Sequence, residues 1–142
     1  MSAALDRFIS LYQGLDKRQL HRLREVYAED VLFVDPAHRI QGLAALEHYF
    51  AELYGGLESC TFEIERSQQQ GDCAWLGWTM TLRHPRLARG APVSVRGATA
   101  LEFNDAGQVR LHQDYFDLGA MLYEQLPLLG PLVRIIKGRL GK

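Results

Sequence analysis

The sequence predicts an α+β domain: three helices, then an antiparallel meander of about four strands, then a helical tail, with the helices gathered on one face of a curved sheet. Three observations predict it. Apolar residues recur at helical spacing as far as residue 54. From residue 60 to residue 117 they alternate with polar ones, interrupted by short turns that contain glycine. After Asp117 the helical spacing returns.

In the first helix, residues 3–15, Leu5, Phe8, Ile9, Tyr12 and Leu15 share a face, and Ser2 is placed to cap the start. Asp16 is expected to cap a second helix with Gln19 as its capping-box partner, and Leu20, Leu23, Val26 and Tyr27 form the apolar stripe of that helix. Val31-Leu32-Phe33-Val34 is a short β-rich run. It ends at Asp35-Pro36, because proline has no N–H for a ladder and holds the residue before it extended. Gly42 opens a third helix, 43–54, with Leu43, Leu46, Tyr49, Phe50 and Leu53 on one stripe, and Gly55-Gly56 closes it. Cys60, Phe62 and Ile64 then alternate with Thr61, Glu63 and Glu65, Gln70-Gly71-Asp72 turns, and 73–84 returns as a strand. That hairpin puts Cys60 near position 81 and Cys73 near position 68, too far apart for a disulfide. Pro85 to Pro92 is a loop, 93–103 a strand, Asn104 to Gly107 a turn, and Gln108 to Asp117 (QVRLHQDYFD) the last long strand. A helix from Leu118 to Gln125 is expected to break at Leu126-Pro127-Leu128-Leu129-Gly130-Pro131. A final helix, 132–140, carries Val133, Ile136 and Leu140 with Arg134, Lys137 and Arg139. Trp75, Trp78, Met80, Tyr49, Phe50 and Phe116 are expected in the core.

The 142 residues fit a single domain spanning 1–142, with 118–142 as a tail packed on it or capping it. A net charge of −1, from 16 basic and 17 acidic residues, leaves no electrostatic footprint for nucleic acid. The start, MSAALDRFIS, lacks the basic and apolar regions of a signal peptide, and no apolar run approaches the ~18 residues of a membrane span. A reduced, cytoplasmic protein is the expectation. The tail LPLLGPLVRIIKGRL is apolar and basic. It suits packing over the sheet, capping a cavity mouth, seating a dimer partner or lying on a membrane surface, the last disfavoured by its short helix and the neutral remainder of the chain.

Strand alternation puts Arg110, His112, Asp114 and Phe116 on one face of the last strand. A solvated face and the polar floor of a pocket both look like this. If His112, Asp114 and Asp35 share one apolar interior, desolvation and mutual repulsion raise a carboxyl pKa while an imidazolium lowers it, which separates an acid from a base. Such a pair suits proton abstraction next to a carbonyl, with Tyr12 or His112 donating to the enolate oxygen. Each residue also has a plain structural reading. His112 and Asp114 can bond each other and close one end of the fold, Asp35 can shape the Asp-Pro turn, and His38 and Arg39 can sit solvated in the following loop. His112, Asp114, Asp35 and His38 are ligand types of a metal triad, but their spacing is not diagnostic, and the expectation is no metal and no cofactor. There is no Gly-x-Ser-x-Gly and no phosphate-cradling glycine loop.

Three stretches carry a family resemblance: YAEDVLFVDPAHRIQG (Tyr27 to Gly42), ALEFNDAGQV (Ala100 to Val109), and LHQDYFD with the following LYEQLPLLGPLVR (Leu111 to Arg134). They resemble the SnoaL-like (polyketide cyclase-like) and ketosteroid isomerase-like branch of the nuclear transport factor 2-like superfamily. The resemblance implies a cone-shaped α+β barrel, a small hydrophobic ligand and a homodimer through the outer face of the sheet. It also implies either a cofactor-independent isomerase, cyclase or lyase acting on a hydrophobic carbonyl compound, or a non-catalytic ligand-binding or protein-interaction module. Asp35 matches the general base of ketosteroid isomerases, and Tyr12 matches their oxyanion tyrosine with a one-residue gap. Their second acid falls at about Thr99 and is missing. Two residues after Arg96 stands Ala98, so the epoxide hydrolase Arg–Asp pair is missing too. Asp114 matches the acid/base Asp of the cyclases, with His112 and Phe116 on the same pocket-facing side. The resemblance thus implies catalytic Asp35, His112 and Asp114, in a pocket lined by Tyr12, His38, Tyr49, Trp78, Thr99 and Phe116.

Overall fold

A computed structural model of the chain describes residues 2–121 and 129–141. Helix α1 (Ala3–Gln13) starts at Ser2, whose Oγ accepts from the Leu5 N–H at 3.2 Å. Strands β1 (Tyr27–Val34) and β2 (Arg39–Gln41) flank the Asp-Pro turn, and α2 (Leu43–Gly55) follows. Then come β3 (Ser59–Gln70), β4 (Cys73–Arg83), β5 (Val93–Phe103) and β6 (Val109–Phe116), and finally α3 (Leu118–Met121) and α4 (Leu129–Leu140). The six strands form one sheet in the order β2-β1-β6-β5-β4-β3, antiparallel throughout except for the parallel β1–β6 pair. Leu5, Phe8, Leu11 and Tyr12 of α1 and Leu46, Phe50 and Tyr54 of α2 are buried on the same side as Leu76, Trp78 and Leu82 of β4. Each such large side chain contributes about 1.5–3 kcal/mol by leaving water.

Where structure and expectation differ, long-range pairing overrides a local signal. The expected second helix is a single 3-10 segment, Leu20–Glu25. Asp16 Oδ1 accepts from the Arg18 N–H at 2.8 Å, and no capping box with Gln19 forms. Tyr27 belongs to β1, because Val109 N–H donates to Val26 C=O at 2.8 Å and recruits this segment to β6. The ladder outweighs helical spacing that rests on four apolar residues. The β3–β4 turn is one residue tighter than expected, so Cys73 faces Gln70 and Cys60 faces Leu82. Both thiols are free.

In β6 the expected face is wrong for Arg110. A bulge sets Phe103 opposite Val109 and Glu102 opposite Leu111, so Arg110 is the extra residue. The extra residue resets the alternation: Val109 and His112 are both buried, and Arg110 points outward to Glu102 at 3.3 Å. Trp75 is also misplaced by the expectation. It lies on the outer face, half exposed, and stacks on Tyr115 with ring centroids 5.9 Å apart.

In the tail, residues 129–131, expected to belong to the break before a helix at 132, are already helical and lie within α4. The expected break at Leu126-Pro127-Leu128 lies outside the described residues. Residues 134–141 are exposed, and Lys137 pairs with Asp117. No described helix is long and apolar enough to cross a membrane.

Candidate functional site

The inner face of β6 meets β5 and β1 at a buried chain of hydrogen bonds. His112, 1% exposed, bonds Asp114 Oδ1 through Nε2 at 2.7 Å and the Tyr27 hydroxyl through Nδ1 at 2.7 Å. Tyr27 bonds the Tyr12 hydroxyl at 2.6 Å. From the other side Trp78 Nε1–H donates to Thr99 Oγ1 at 2.7 Å, and Thr99 donates to Asp114 Oδ1 at 2.6 Å. The indole is donor only, so the Thr99 proton must go to Asp114. With Asp114 ionised, His112 Nε2 must carry its proton. A neutral ring then accepts at Nδ1 from Tyr27, which accepts from Tyr12. In this arrangement every member is satisfied, as a buried polar network requires.

The local sequence explains the placement. Thr99 and Asp114 are directly paired across β5 and β6, and His112 lies two residues before Asp114 on the same face. Gly97 is required by the indole: a Cβ there would lie 2.4 Å from Trp78 Cη2 and 2.8 Å from the Tyr115 carbonyl. Phe116 lies opposite Gly97, its ring 6.1 Å from that of Trp78. The imidazole is boxed by the rings of Phe33 at 4.7 Å, Phe8 at 5.8 Å, Tyr27 at 5.8 Å and Tyr12 at 5.9 Å. Burial raises the Tyr12 and Tyr27 hydroxyls well above the usual phenol value, so both remain neutral donors.

Asp114 is the member of this chain that reaches outward. Its side chain is 16% exposed against 1% for His112. Oδ1 takes both hydrogen bonds, and Oδ2 makes none among the described residues.

Asp35, His38 and Tyr49 form a separate cluster. Asp35 Oδ1 accepts from the Ala37 and His38 N–H groups at 2.9 and 2.7 Å, which holds the Asp-Pro turn. Oδ2 accepts from the Tyr49 hydroxyl at 2.9 Å, and His38 Nδ1 lies 3.1 Å from Oδ1. Both oxygens of Asp35 are therefore occupied. No hydrogen bond among the described residues joins the two clusters. Phe33 lies between them, its ring 4.7 Å from His112 and 5.7 Å from Tyr49. The Tyr49 hydroxyl is raised far above its ordinary pKa, first by burial, then by Asp35, with a further contribution from the Asp114 charge.

The residues named from the sequence thus fall into two groups, Tyr12–His112–Asp114–Thr99–Trp78 with Phe116 beside it, and Asp35–His38–Tyr49. Sequence reasoning missed Tyr27, the link between Tyr12 and His112, because its helical spacing to Leu23 assigned it to a helix stripe. The one signal was its place at the head of the β-rich Val31–Val34 run. One cavity, of about 260 Å³, lies beside the ends of α1 and α2, and another, of about 360 Å³, is lined by Trp78 and Gly97 together with Arg96 and Tyr115. Around His112 the interior is filled by rings.

The sequence profile of the family described as SnoaL-like domain matches residues 8–112. No curated protein matches the chain. A hypothetical protein with ketosteroid isomerase-like fold from Catenulispora acidiphila, in complex with trimethylamine, superposes with TM-score 0.72 at 20% identity, covering 89% of this chain and 95% of that one. An NTF2-like protein of unknown function from Burkholderia pseudomallei gives TM-score 0.75 at 15% identity, covering 86% and 96%. TerC, co-crystallised with polyporic acid, gives 0.73 at 19% identity, covering 84% and 95%. At these identities the likeness establishes a shared fold.

Proposed function

The chain belongs to the SnoaL-like domain family, and on that premise we propose that it binds a small hydrophobic carbonyl compound beside Asp114 and moves a proton on it, as an isomerase, cyclase or lyase. The observation that carries this reading is the asymmetry of Asp114. Oδ1 is held by Thr99 and His112, and Oδ2 makes no hydrogen bond among the described residues on a partly exposed side chain. A carboxylate fixed by one oxygen and open at the other is built to accept a proton at a defined place. His112 is a positioning residue, since its two nitrogens are spent on Asp114 and Tyr27. Tyr12 and His112 turn their hydrogens inward. Tyr49, on the neighbouring cluster, is the better donor to a developing enolate oxygen, by exchanging Asp35 for the substrate. Asp35 sets that tyrosine and the turn, and His38 lies at the rim. Two proteins of this fold hold small molecules, trimethylamine in one and polyporic acid in the other, which supports a ligand here.

A second reading, ligand binding or protein interaction without catalysis, draws support from the rings that fill the interior around His112. The stacked Trp75–Tyr115 pair on the outer face supports a homodimer through that face. Native mass spectrometry of the purified protein identifies a retained ligand. On a substrate of that class, Asp114→Asn should lose about 10²–10⁴-fold in turnover while still binding, and Asp35→Asn should lose less. Full turnover by Asp114→Asn rejects the catalytic role.

A further inference from the structure

Acids with a basic neighbour divide by depth. Near the surface, Glu25, Glu47, Glu58 and Glu102 each meet an arginine, and Asp117 meets Lys137. The two deepest, Asp35 at 6% side-chain exposure and Asp114 at 16%, meet a histidine instead. His112 is the neutral ring already bonded to Tyr27, and the His38 side chain is half exposed. The remaining donors to these two carboxylates are uncharged: the Thr99 hydroxyl to Asp114, and the Ala37 and His38 N–H groups and the Tyr49 hydroxyl to Asp35. Two negative charges thus stand on the inner side of the sheet with no arginine or lysine in contact among the described residues. Both reach one point. After burial, the Asp35 charge and then the Asp114 charge hold the proton on the Tyr49 hydroxyl. Aromatic surface lies beside them. Phe116 follows Asp114 by two residues on the same face of β6, and the rings of Phe116 and Tyr49 are both only partly buried.

We infer that the ligand taken beside Asp114 is a small organic cation, an alkylammonium group set against the Asp114 carboxylate with the rings of Phe116 and Tyr49 as walls. This rests on the reading that a ligand sits at Asp114, and it names the charge of that ligand. An alkylammonium answers the unmatched carboxylates and gains from the faces of aromatic rings. A neutral ligand leaves both charges unmatched, and an anion is repelled by both. The rings that fill the interior around His112 keep the group compact. For the proton-transfer reading, the substrate becomes a carbonyl compound that also carries an ammonium group.

The test is a titration with tetramethylammonium, tert-butanol and pivalate, which share a branched methyl head and are positive, neutral and negative. Backbone amide shifts are followed by nuclear magnetic resonance in solutions of matched ionic strength, kept at roughly 50 mM so that screening stays weak. Tetramethylammonium should shift the amides of residues 33–35, 49 and 112–116. It should bind at least about fivefold more tightly than tert-butanol, and pivalate should bind most weakly. Asp114→Asn should bring tetramethylammonium down to the affinity of tert-butanol. Phe116→Leu, which keeps apolar bulk and removes the ring, should weaken the cation about threefold and change the alcohol little. The same spectra read the fold of each variant. Equal affinity for the cation and the alcohol, cation shifts confined to other residues, or undiminished cation binding in Asp114→Asn would overturn the inference and leave a ligand of another charge in place. No shift near Asp114 with any of the three would remove the ligand reading as well. A preference for the cation that depends on Asp114, without proton exchange on any ketone, would uphold the inference and reject only the proton transfer.

Discussion

Replacing Thr99 by valine keeps the shape of the side chain and removes both of its hydrogen bonds. Thr99 is 3% exposed, accepts from Trp78 Nε1–H at 2.7 Å and donates to Asp114 Oδ1 at 2.6 Å. The valine strands the indole N–H, at about 1–3 kcal/mol, and takes from the carboxylate a charge-assisted bond of about 1.5–3 kcal/mol. Asp114 is 16% exposed, so water makes up part of the second loss. About 3 kcal/mol remains, or about 10 °C in Tm at roughly 3 °C per kcal/mol for a chain of this length. Thermal unfolding followed by circular dichroism reads the shift, and urea unfolding gives the free energy. Thr99→Ser keeps the oxygen and should recover most of the loss, short of the deleted methyl group. A Thr99→Val protein within about 2 °C of the parent in Tm would show that the indole and the carboxylate are not joined through residue 99.

Gly97→Ala places a methyl group 2.4 Å from the Trp78 ring and 2.8 Å from a backbone carbonyl. It should cost about 1–3 kcal/mol by overpacking and move the tryptophan fluorescence; unchanged stability and emission would mean that Trp78 does not lie over residue 97. Burial raises the Tyr12, Tyr27, Tyr49 and Tyr54 hydroxyls, and it lifts the Cys60 thiol from 9.0 to about 11. A raised folded pKa contributes stability that is complete below the unfolded value and is lost as pH rises. Urea midpoints should therefore fall above pH 9, Cys60 acting first, and tyrosinate absorbance from four of the six tyrosines should appear only on unfolding. A midpoint unchanged up to pH 11 would contradict this. Trp75→Glu puts a charge into the exposed Trp75–Tyr115 stack, and sedimentation should show a dimer become a monomer with the fold intact. A parent protein that sediments as a monomer would remove the dimer proposal.

Much of the architecture is legible in local pattern. The alternation of β3 to β6, the glycine that opens α2 and the Ser2 cap each act within a few residues, so a single sequence shows them. What stays hidden depends on partners far along the chain. Tyr27 changes from helix stripe to strand because Val109 pairs with its neighbour Val26. Arg110 changes face because of a bulge created opposite Glu102 and Phe103, and the residue types there do not announce it. The pairing of His112 with Asp114 follows from their two-residue spacing alone. That Asp35 stands in another cluster follows from the backbone of its turn, where the Ala37 and His38 N–H groups take one oxygen. Thr99, read from the sequence as a lost acid, is the residue that joins Trp78 to Asp114. Tyr54 reads as an ordinary helix residue, and the deep burial of its hydroxyl beside Cys60 is visible only in three dimensions.

The proton-transfer role of Asp114 is tested most directly by deuterium exchange next to the carbonyl of hydrophobic ketones in D2O, followed by nuclear magnetic resonance. The expected result is protein-catalysed exchange that falls by about 100-fold or more in Asp114→Asn and by clearly less in Asp35→Asn. Equal exchange rates in the parent and in Asp114→Asn would contradict the assignment of Asp114 Oδ2 as the base.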